Sequence, residues 1–295
     1  MEMDWGNLGF EYLDTNGYVA AHYKDGQWSR PEFIAERIMP MHVAANCLHY
    51  GQACFEGLKA FSHEDGSIHL FRPEKNAQRM QASAERICMV SPSEELFVEA
   101  CRLAVINNRE FVPPYGTGAS LYIRPLLIGT QATIGLSPSN EYLFLVMVTP
   151  VGPYYKNGFY PVSALVVEDY DRAAPLGTGQ AKVAGNYAAG MRAGMVAKEK
   201  GFPIALFTDA AEHKYIDEFG TSNFIGITAA REYVTPQSPS ILASITNLTL
   251  QSIAESENYS VQCRPVEIAE LDKFVEVGAC GTAAIITPIG SILPL

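Results

Sequence analysis

Apolar and polar residues follow two patterns along the chain, and each pattern favours a different secondary structure. Short apolar runs bounded by glycine, proline or aspartate predict strands. We place these strands at Tyr18–Lys24, Leu58–Ser62, 67–71, 120–128, 142–149, 162–168, Ile204–Thr208, 223–228 and 233–235. Apolar residues spaced three or four positions apart predict helices at 73–88, from residue 91 onward, at 186–200 and at 246–258.

Turn and capping residues predict where several of these elements begin. Gly66 suits the tight position of a hairpin between the strands at 58–62 and 67–71. Ser91 precedes Pro92, which suits the first helical position, and Glu94 completes a capping-box pattern. We therefore expect one helix to begin at Ser91, and Thr246 is the expected N-cap of the last helix.

The order of the elements predicts two domains that each mix helices and strands. A chain of 295 residues is long enough for about two domains. The stretch 149–161 contains three prolines and two glycines, which makes it the best linker candidate. We predict a small N-terminal α/β domain at 1–150, a linker at 151–161 and a large C-terminal domain at 162–295. A cleft between two such domains commonly binds a small molecule.

The charge balance bears on the class of partner. The chain has 21 lysines and arginines against 32 aspartates and glutamates, for a net charge of −11. Binding to nucleic acid or to an anionic membrane depends on clustered basic residues. We therefore expect neither partner, although a local basic pocket for one small anion is compatible with this balance.

Cysteine usage and the N-terminal residues indicate a cytoplasmic protein. No cysteine pair has C-x-x-C spacing, and the thiols are too scattered for a disulfide framework. They are Cys47, Cys54, Cys88, Cys101, Cys263 and Cys280. Residues 1–10 lack the apolar core of a secretory signal, and the longest apolar run, 142–148, is far too short to span a membrane.

Several kinds of catalytic site are excluded by spacing. The histidines have no zinc-binding spacing, and His42 and His49, seven apart, are more typical of surface or core histidines than of a metal pair. The chain also lacks a G-x-S-x-G elbow and a G-x-x-x-x-G-K-[ST] loop. We expect no metal site.

Lys182 is the strongest catalytic candidate from the residues alone. It follows Gly177-Thr178-Gly179, has apolar neighbours and precedes a predicted helix. A lysine in an apolar cleft loses its proton more easily and can attack a carbonyl to form a Schiff base. Three groups would complete such a site, although each by itself is more typical of ordinary structure. They are Arg72 for a phosphate, the helix N-terminus at residues 244–246, and the carboxylate of Glu218 for a ring nitrogen.

Seven long motifs then resemble the branched-chain aminotransferases, which are pyridoxal-phosphate enzymes of fold type IV. The motifs are LHYGQACFEGLKAF, FRPEKNAQRM, YIRPLLIG, VGPYYKNG, YDRAAPLGTGQAKVAGNYA, EFGTSNF and ACGTAAII, in family order from Leu48 to Ile286. The resemblance implies a two-domain mixed α/β fold of type IV. It also implies transamination of leucine, isoleucine and valine with 2-oxoglutarate, which gives branched-chain 2-oxo acids and glutamate through a ping-pong sequence.

The resemblance assigns residues to the cofactor, pyridoxal 5′-phosphate. These are Arg72, Lys182, Tyr187, Glu218, Ile245, Thr246 and Thr282. Lys182 resembles the Schiff-base lysine that also moves the Cα proton. Tyr187 resembles the partner of the phenolic oxygen, and Glu218 the partner of the pyridine nitrogen. Arg72 resembles the phosphate-binding arginine. The amides of Ile245 and Thr246 and the hydroxyl of Thr282 resemble the groups that assist it.

A second set of residues matches the family's substrate site. It consists of Tyr50, Phe55, Tyr122, Arg124, Ile134, Leu136, Tyr154, Thr221, Ala283 and Ala284. An apolar, aromatic-walled pocket favours branched aliphatic side chains. Arg124 and Tyr122 resemble the residues that serve the carboxylate of glutamate and 2-oxoglutarate. Ile134 and Leu136 match a loop that reaches a neighbouring subunit, so a homodimer is implied.

Departures from the family pattern leave alternatives open. Ala184 stands where glycine is common, and Ala243 replaces a usual proline. Family members normally continue past the sequence PIG, so we expect a lower melting temperature than that of a full-length relative. The alternatives are another fold type IV activity, either a D-amino acid aminotransferase or an aminodeoxychorismate lyase, and a fragment that binds the cofactor without turnover.

Overall fold

A computed structural model describes residues 3–152 and 159–294 of the chain. These residues form two compact units. Unit 1 contains 3–152 together with Ala181–Ala184, and unit 2 contains 159–180 and 185–294. Ala181–Ala184 falls in the stretch expected to be C-terminal domain, yet it packs within unit 1. Much of the predicted linker lies outside the described residues, and the predicted domain boundaries stay a prediction.

Unit 1 is built on an antiparallel sheet, which has eight strands within the described residues. The strands are β1 (Tyr18–Lys24), β2 (Gln27–Trp28), β3 (Glu32–Ile34), β4 (Ala53–Phe55), β5 (Leu58–Ser62), β6 (Ile68–Leu70), β7 (Ser120–Gly129) and β8 (Tyr142–Val151). Their order is β2-β1-β8-β7-β5-β6, with β3 paired to β1 and β4 paired to β7. The unit also contains α1 (Asn46–Tyr50), α2 (Pro73–Arg86), α3 (Glu94–Asn107) and short 3-10 helices at Trp5–Asn7 and Arg109–Phe111.

The main core of unit 1 lies between the two long helices and the sheet. Met80 of α2 and Phe97 of α3 are buried there with Ile123 of β7. The ring of Phe97 stacks on that of Phe144 in β8, with 5.7 Å between centroids. A smaller apolar cluster contains Leu143 and other strand residues. Because successive strand residues point to opposite faces, apolar runs such as β8 supply both clusters.

Unit 2 contains a sheet whose strands close into a ring. Its strands are β9 (Val162–Val167), β10 (Ile204–Thr208), β11 (Ile216–Phe219), β12 (Ser222–Thr228), β13 (Glu232–Pro236), β14 (Ser260–Arg264), β15 (Phe274–Gly281) and β16 (Ile285–Leu293). The ring runs β11-β10-β9-β16-β15-β12 and closes because β12 also pairs with β11. The pairs β9–β10, β9–β16 and β13–β14 are parallel. Helices α4 (Ala184–Glu199), whose first residue belongs to unit 1, and α5 (Ile245–Ser256) and a 3-10 helix at Ile268–Lys273 complete the elements.

Successive side chains of the ring strands point to opposite faces, so unit 2 has two separate hydrophobic clusters, one on each face. Val166 of β9 belongs to a cluster with Leu206 and Phe219. Its neighbour Val167 belongs to a different cluster, with Ala193 of α4. One side of these strands therefore packs against other strands while the other side packs against α4. Within the described residues, no helix is both long enough and apolar enough to cross a membrane.

Most of the predicted long elements are confirmed, but both predicted helix caps are wrong. The helix predicted from Ser91 begins instead after Ser93, whose hydroxyl accepts the N–H of Leu96. The last helix is capped by Ser244, which accepts the N–H of Asn247, and Thr246 lies inside it. In both helices the capping serine accepts the N–H of the residue three positions later, a donor that has no partner inside the helix. The predicted caps, Ser91 and Thr246, are therefore not needed.

Candidate active site

The backbone of Lys182 is held from two sides within unit 1. Its N–H donates to the Ser83 hydroxyl at 2.8 Å, and its carbonyl accepts the N–H of Phe55 at 3.1 Å. An antiparallel bridge between Cys54 and Val183 continues the same pairing. The segment therefore lies beside β4 like a short extra strand, and the base of the lysine side chain has a fixed direction.

Two cations share the ring of Phe55. Lys182 Nζ lies 4.8 Å from the ring centroid, and Arg124 Cζ lies 4.7 Å from it. Both distances are within the range of a cation–π interaction. One aromatic side chain thus gathers a candidate nucleophile and a candidate carboxylate-binding group.

Arg124 is oriented by Tyr122, two residues earlier on the same strand. Its Nη2 donates to the Tyr122 hydroxyl at 2.9 Å, and its buried Nε has no hydrogen-bond partner among the described residues. Gly57 makes room for this tyrosine, because a Cβ at residue 57 would come within 2.2 Å of the hydroxyl oxygen. The arrangement presents the guanidinium of half-buried Arg124, which can bind a carboxylate.

A buried ion pair supports the same region. Glu56 is fully buried, and its two carboxylate oxygens each accept a hydrogen bond from Arg79 at 2.7 Å. Asn76 adds a further donor at 2.8 Å. The Ser83 hydroxyl donates to the Arg79 carbonyl at 2.8 Å. The residue that holds Lys182 is therefore itself fixed on α2, one turn beyond the ion pair.

Two further ionisable groups of unit 1 have pKa values changed by burial. Burial, assisted by the charge of Glu56, raises the pKa of the Cys54 thiol to about 12. Burial also lowers the pKa of Lys59 to about 8. Lys59 faces Tyr122 across the pairing of β5 with β7. Sequence reasoning did not single out Lys59, although it lies in the FEGLKAF motif.

Arg72 has an unusual backbone conformation. It precedes Pro73 at the start of α2 and has a φ of 51°, in the left-handed region. A positive φ is uncommon for a residue with a side chain, and a following proline disfavours helical angles further. Such strain is characteristic of functional positions, so it supports the interest in Arg72.

The carboxylate of Glu218 is buried and is held by groups of unit 2. Arg172 Nη2 lies 2.7 Å from Oε1, and the Leu242 N–H donates to Oε1 at 3.1 Å. Asn223 donates to Oε2 at 3.2 Å. Only 4% of Glu218 is exposed, so its orientation is determined by these partners.

The remaining cofactor candidates of unit 2 lie at element ends. Ile245 and Thr246 begin α5, and the N–H groups of a first helical turn have no partner inside the helix, which suits an anion. Thr282 lies in the turn between β15 and β16, and half-buried Tyr187 lies in the first turn of α4. The same β15–β16 turn carries the two substrate candidates Ala283 and Ala284.

Comparison with known proteins identifies the family. A family model described as amino-transferase class IV matches residues 53–292. The chain belongs to the class IV aminotransferases. This confirms the predicted family and the predicted type IV fold.

Named relatives of this class IV aminotransferase include branched-chain enzymes. A branched-chain-amino-acid aminotransferase of Haemophilus influenzae is 47% identical over 99% of this chain and 86% of the relative. The crystal structure of the Escherichia coli branched-chain enzyme matches with a TM-score of 0.80 and 26% identity, covering 95% of this chain and 87% of that one. A T.th. branched-chain enzyme with pyridoxamine 5′-phosphate matches with a TM-score of 0.78 and 26% identity, covering 93% and 86%.

The predicted substrate residues of this class IV aminotransferase fall into separate groups. Phe55, Tyr122 and Arg124 come together with Lys182, as described above. Tyr50 donates from its hydroxyl to the carbonyl of Ile134, another residue of the predicted substrate set. Leu136 is 85% exposed, and Thr221 lies exposed in the β11–β12 turn. Ala283 and Ala284 are half-buried in the β15–β16 turn, and Tyr154 lies outside the described residues. The individual roles of these residues stay predictions.

Three residues of the aminotransferase that hold site groups were missed by sequence reasoning. Arg172 and Asn223 lie in the quoted motifs YDRAAPLGTG and EFGTSNF, so membership in a motif could have indicated them. Ser83 interrupts the buried stripe of α2 between Met80 and Ala84. A lone hydroxyl on such a stripe was the available signal for it.

Proposed function

We propose that this class IV aminotransferase transfers the amino group of leucine, isoleucine or valine to 2-oxoglutarate, with pyridoxal 5′-phosphate as cofactor. The observation that carries the proposal is the sharing of the Phe55 ring by Lys182 and Arg124. It combines an amine suited to the cofactor aldehyde with a guanidinium suited to a dicarboxylic substrate. The names of the relatives support the same activity and cofactor.

The residues present fit pyridoxal phosphate group by group. An aldehyde requires an amine, which Lys182 offers from a fixed backbone. A pyridinium nitrogen requires a carboxylate, and the buried Glu218 is one. A phosphate requires cations and N–H donors, for which Arg72 and the first turn of α5 are the candidates. When bound, the cofactor supplies a sink for the electrons that remain when the substrate Cα loses its proton.

Lys182 has two tasks in this proposal. Its Nζ holds the cofactor before substrate arrives, and it takes the Cα proton once the substrate amine has replaced it. Both tasks require the amine to return to the same place. The two backbone hydrogen bonds of Lys182, with Ser83 and Phe55, provide that constancy.

Substrate recognition requires one pocket to accept an aliphatic and an acidic side chain. Phe55 offers an apolar wall for methyl groups. Arg124 and Tyr122 offer a charge-assisted site for the second carboxylate of glutamate or 2-oxoglutarate. The buried Nε–H of Arg124 has no acceptor among the described residues, so it can donate a hydrogen bond to that carboxylate.

We also propose that the protein forms a homodimer in the cytoplasm. Val43, Leu48, Ile134 and Leu136 are between 61% and 85% exposed. They belong to neighbouring segments, since Ala45 and Ala132 form a backbone bridge. A second copy would bury this apolar surface. Light scattering should give twice the mass of the chain, and replacing Leu136 by glutamate should shift the protein toward monomer.

An absorbance titration tests the proposed function directly. The purified protein is incubated with pyridoxal phosphate, and its visible band is recorded before and after L-leucine and then after 2-oxoglutarate. We expect leucine to bleach the band and 2-oxoglutarate to restore it. Lys182→Ala is the control, and it should show neither change.

The other outcomes separate the rival activities. A band that ignores leucine but responds to D-alanine would favour a D-amino acid aminotransferase and overturn the proposal. A band that no amino donor changes would indicate cofactor binding without turnover. No band at all would show that the chain does not form a cofactor site.

A further inference from the structure

The guanidinium of Arg172 joins three separate segments of unit 2. Its Nη2 lies 2.7 Å from Glu218 Oε1 and donates to the carbonyl of Gly179 at 3.0 Å. The same nitrogen also donates to the carbonyl of Ser240. The Arg172 side chain is only 10% exposed, so these contacts are made away from bulk water.

The approach of two of these segments depends on a glycine. A Cβ at Gly179 would lie 2.2 Å from the Ser240 carbonyl oxygen, far inside contact distance. Any larger residue would push the two backbones apart. The absence of a side chain therefore allows both carbonyls to converge on Arg172.

The segment around Ser240 is also tied to strand β11. Ser240 donates its N–H to the Ser238 hydroxyl at 3.1 Å, and that hydroxyl donates to Asp217 at 2.8 Å. Leu242 donates its N–H to Glu218. Two successive carboxylates of β11 thus hold the residues that lead into α5, and Arg172 supplies a positive charge beside Glu218.

We propose that Arg172 is a positioning residue for the cofactor. It fixes the direction of the Glu218 carboxylate and couples it to the segment that leads into the first turn of α5. This inference rests on the proposed function, in which Glu218 pairs with the pyridine nitrogen and the first turn of α5 binds the phosphate. Without Arg172, a buried carboxylate loses its partner charge and must reorganise.

A double-mutant cycle tests whether Arg172 acts through Glu218. The variants are Arg172→Gln, Glu218→Gln and the double variant, each prepared without cofactor and then titrated with pyridoxal phosphate. The readouts are the dissociation constant, the wavelength of the visible band and the melting temperature of the cofactor-free protein. Turnover of leucine, as separate kcat and KM, is measured on the loaded enzymes.

We expect Arg172→Gln to weaken cofactor binding at least about tenfold and to shift the visible band, because breaking a buried pair is costly. In the Glu218→Gln background the same change should weaken binding by less than about threefold. Arg192→Gln is the matched control. That arginine of α4 is 58% exposed and only 3.6 Å from Glu199, so its loss should change neither readout.

Two results would overturn the inference. One is a wild-type dissociation constant and band for Arg172→Gln. The other is an equal loss of affinity in both Glu218 backgrounds, which would show a structural role independent of that carboxylate. If Arg172→Gln does not fold, Arg172→Lys takes its place in the cycle, since lysine keeps a charge near the buried carboxylate but lacks the planar guanidinium that fixes its direction. A loss that vanishes in the Glu218→Gln background is again the expected result.

The wild-type protein separates this inference from the proposed function. If wild type binds the cofactor and transaminates leucine while the cycle gives one of the overturning results, only the role of Arg172 is refuted. If wild type shows no cofactor band, the proposed function fails first.

Discussion

The ion pair between Arg79 and Glu56 predicts a large stability effect. Arg79→Met removes both 2.7 Å hydrogen bonds and leaves the fully buried Glu56 carboxylate with donors from Asn76 and the Gly57 N–H. Removing one partner of a buried pair costs about 3–5 kcal/mol. Because two donors stay in place, we expect the lower end, about 3 kcal/mol.

This loss is measured by thermal unfolding followed by circular dichroism. For a domain of this size, about 1 kcal/mol shifts the melting temperature by about 2–4 °C. We therefore expect a decrease of about 6–12 °C for Arg79→Met. Lys24→Met is the matched control, because Lys24 is 65% exposed in its pair with Glu141 and should leave the melting temperature unchanged. A decrease below about 2 °C for Arg79→Met would refute the reasoning, because the pair would then not be stabilising the fold.

Three further predictions concern single side chains. Ser83→Ala leaves the Lys182 N–H without the Ser83 hydroxyl as acceptor, so chemical denaturation should show a free energy of unfolding lower by about 1–3 kcal/mol. We also expect a lower kcat. An unchanged kcat would contradict the role of Ser83 in positioning Lys182. Burial lowers the pKa of Lys59 from 10.5 to about 8. Between these two pH values, Lys59 carries a proton in the unfolded chain that it lacks in the folded protein. The free energy of unfolding should therefore rise with pH by up to about 3 kcal/mol. Denaturation at pH 8 and at pH 10 should show this rise in wild type and not in Lys59→Met. Exposed Cys88 and Cys263 should react with a thiol reagent in the native protein, whereas burial raises the pKa of Cys54 and Cys280 to about 12 and should delay their reaction until denaturant is added.

The amphipathic and apolar patterns predicted the existence of most long elements but not their pairing. The long apolar strands β7 and β8 were visible because both of their faces are buried. The edge strand β14 alternates weakly and is largely half-buried or exposed, so its sequence carries no clear period. The closure of the ring through β11 and β12 depends on contacts between residues distant in the chain, which local periodicity does not encode.

The candidate site shows the same division between local and distant information. Lys182 could be selected from its glycine-rich setting and from the motif that contains it. Ser83 could not, because its role is defined by a hydrogen bond to a residue 99 positions later. Arg172 and Glu218 lie in different motifs, and only the folded chain shows that they form one ion pair.

The four residues Ala181–Ala184 also determine when unit 1 can be complete during translation. The chain leaves unit 1, enters unit 2, returns for this short segment and then leaves again. When only the first 156 residues have been synthesised, the segment that bridges to Cys54 and the amine of Lys182 are both still missing. Expression of the two halves as separate fragments, divided near residue 156, would detach the lysine from the sheet that orients it.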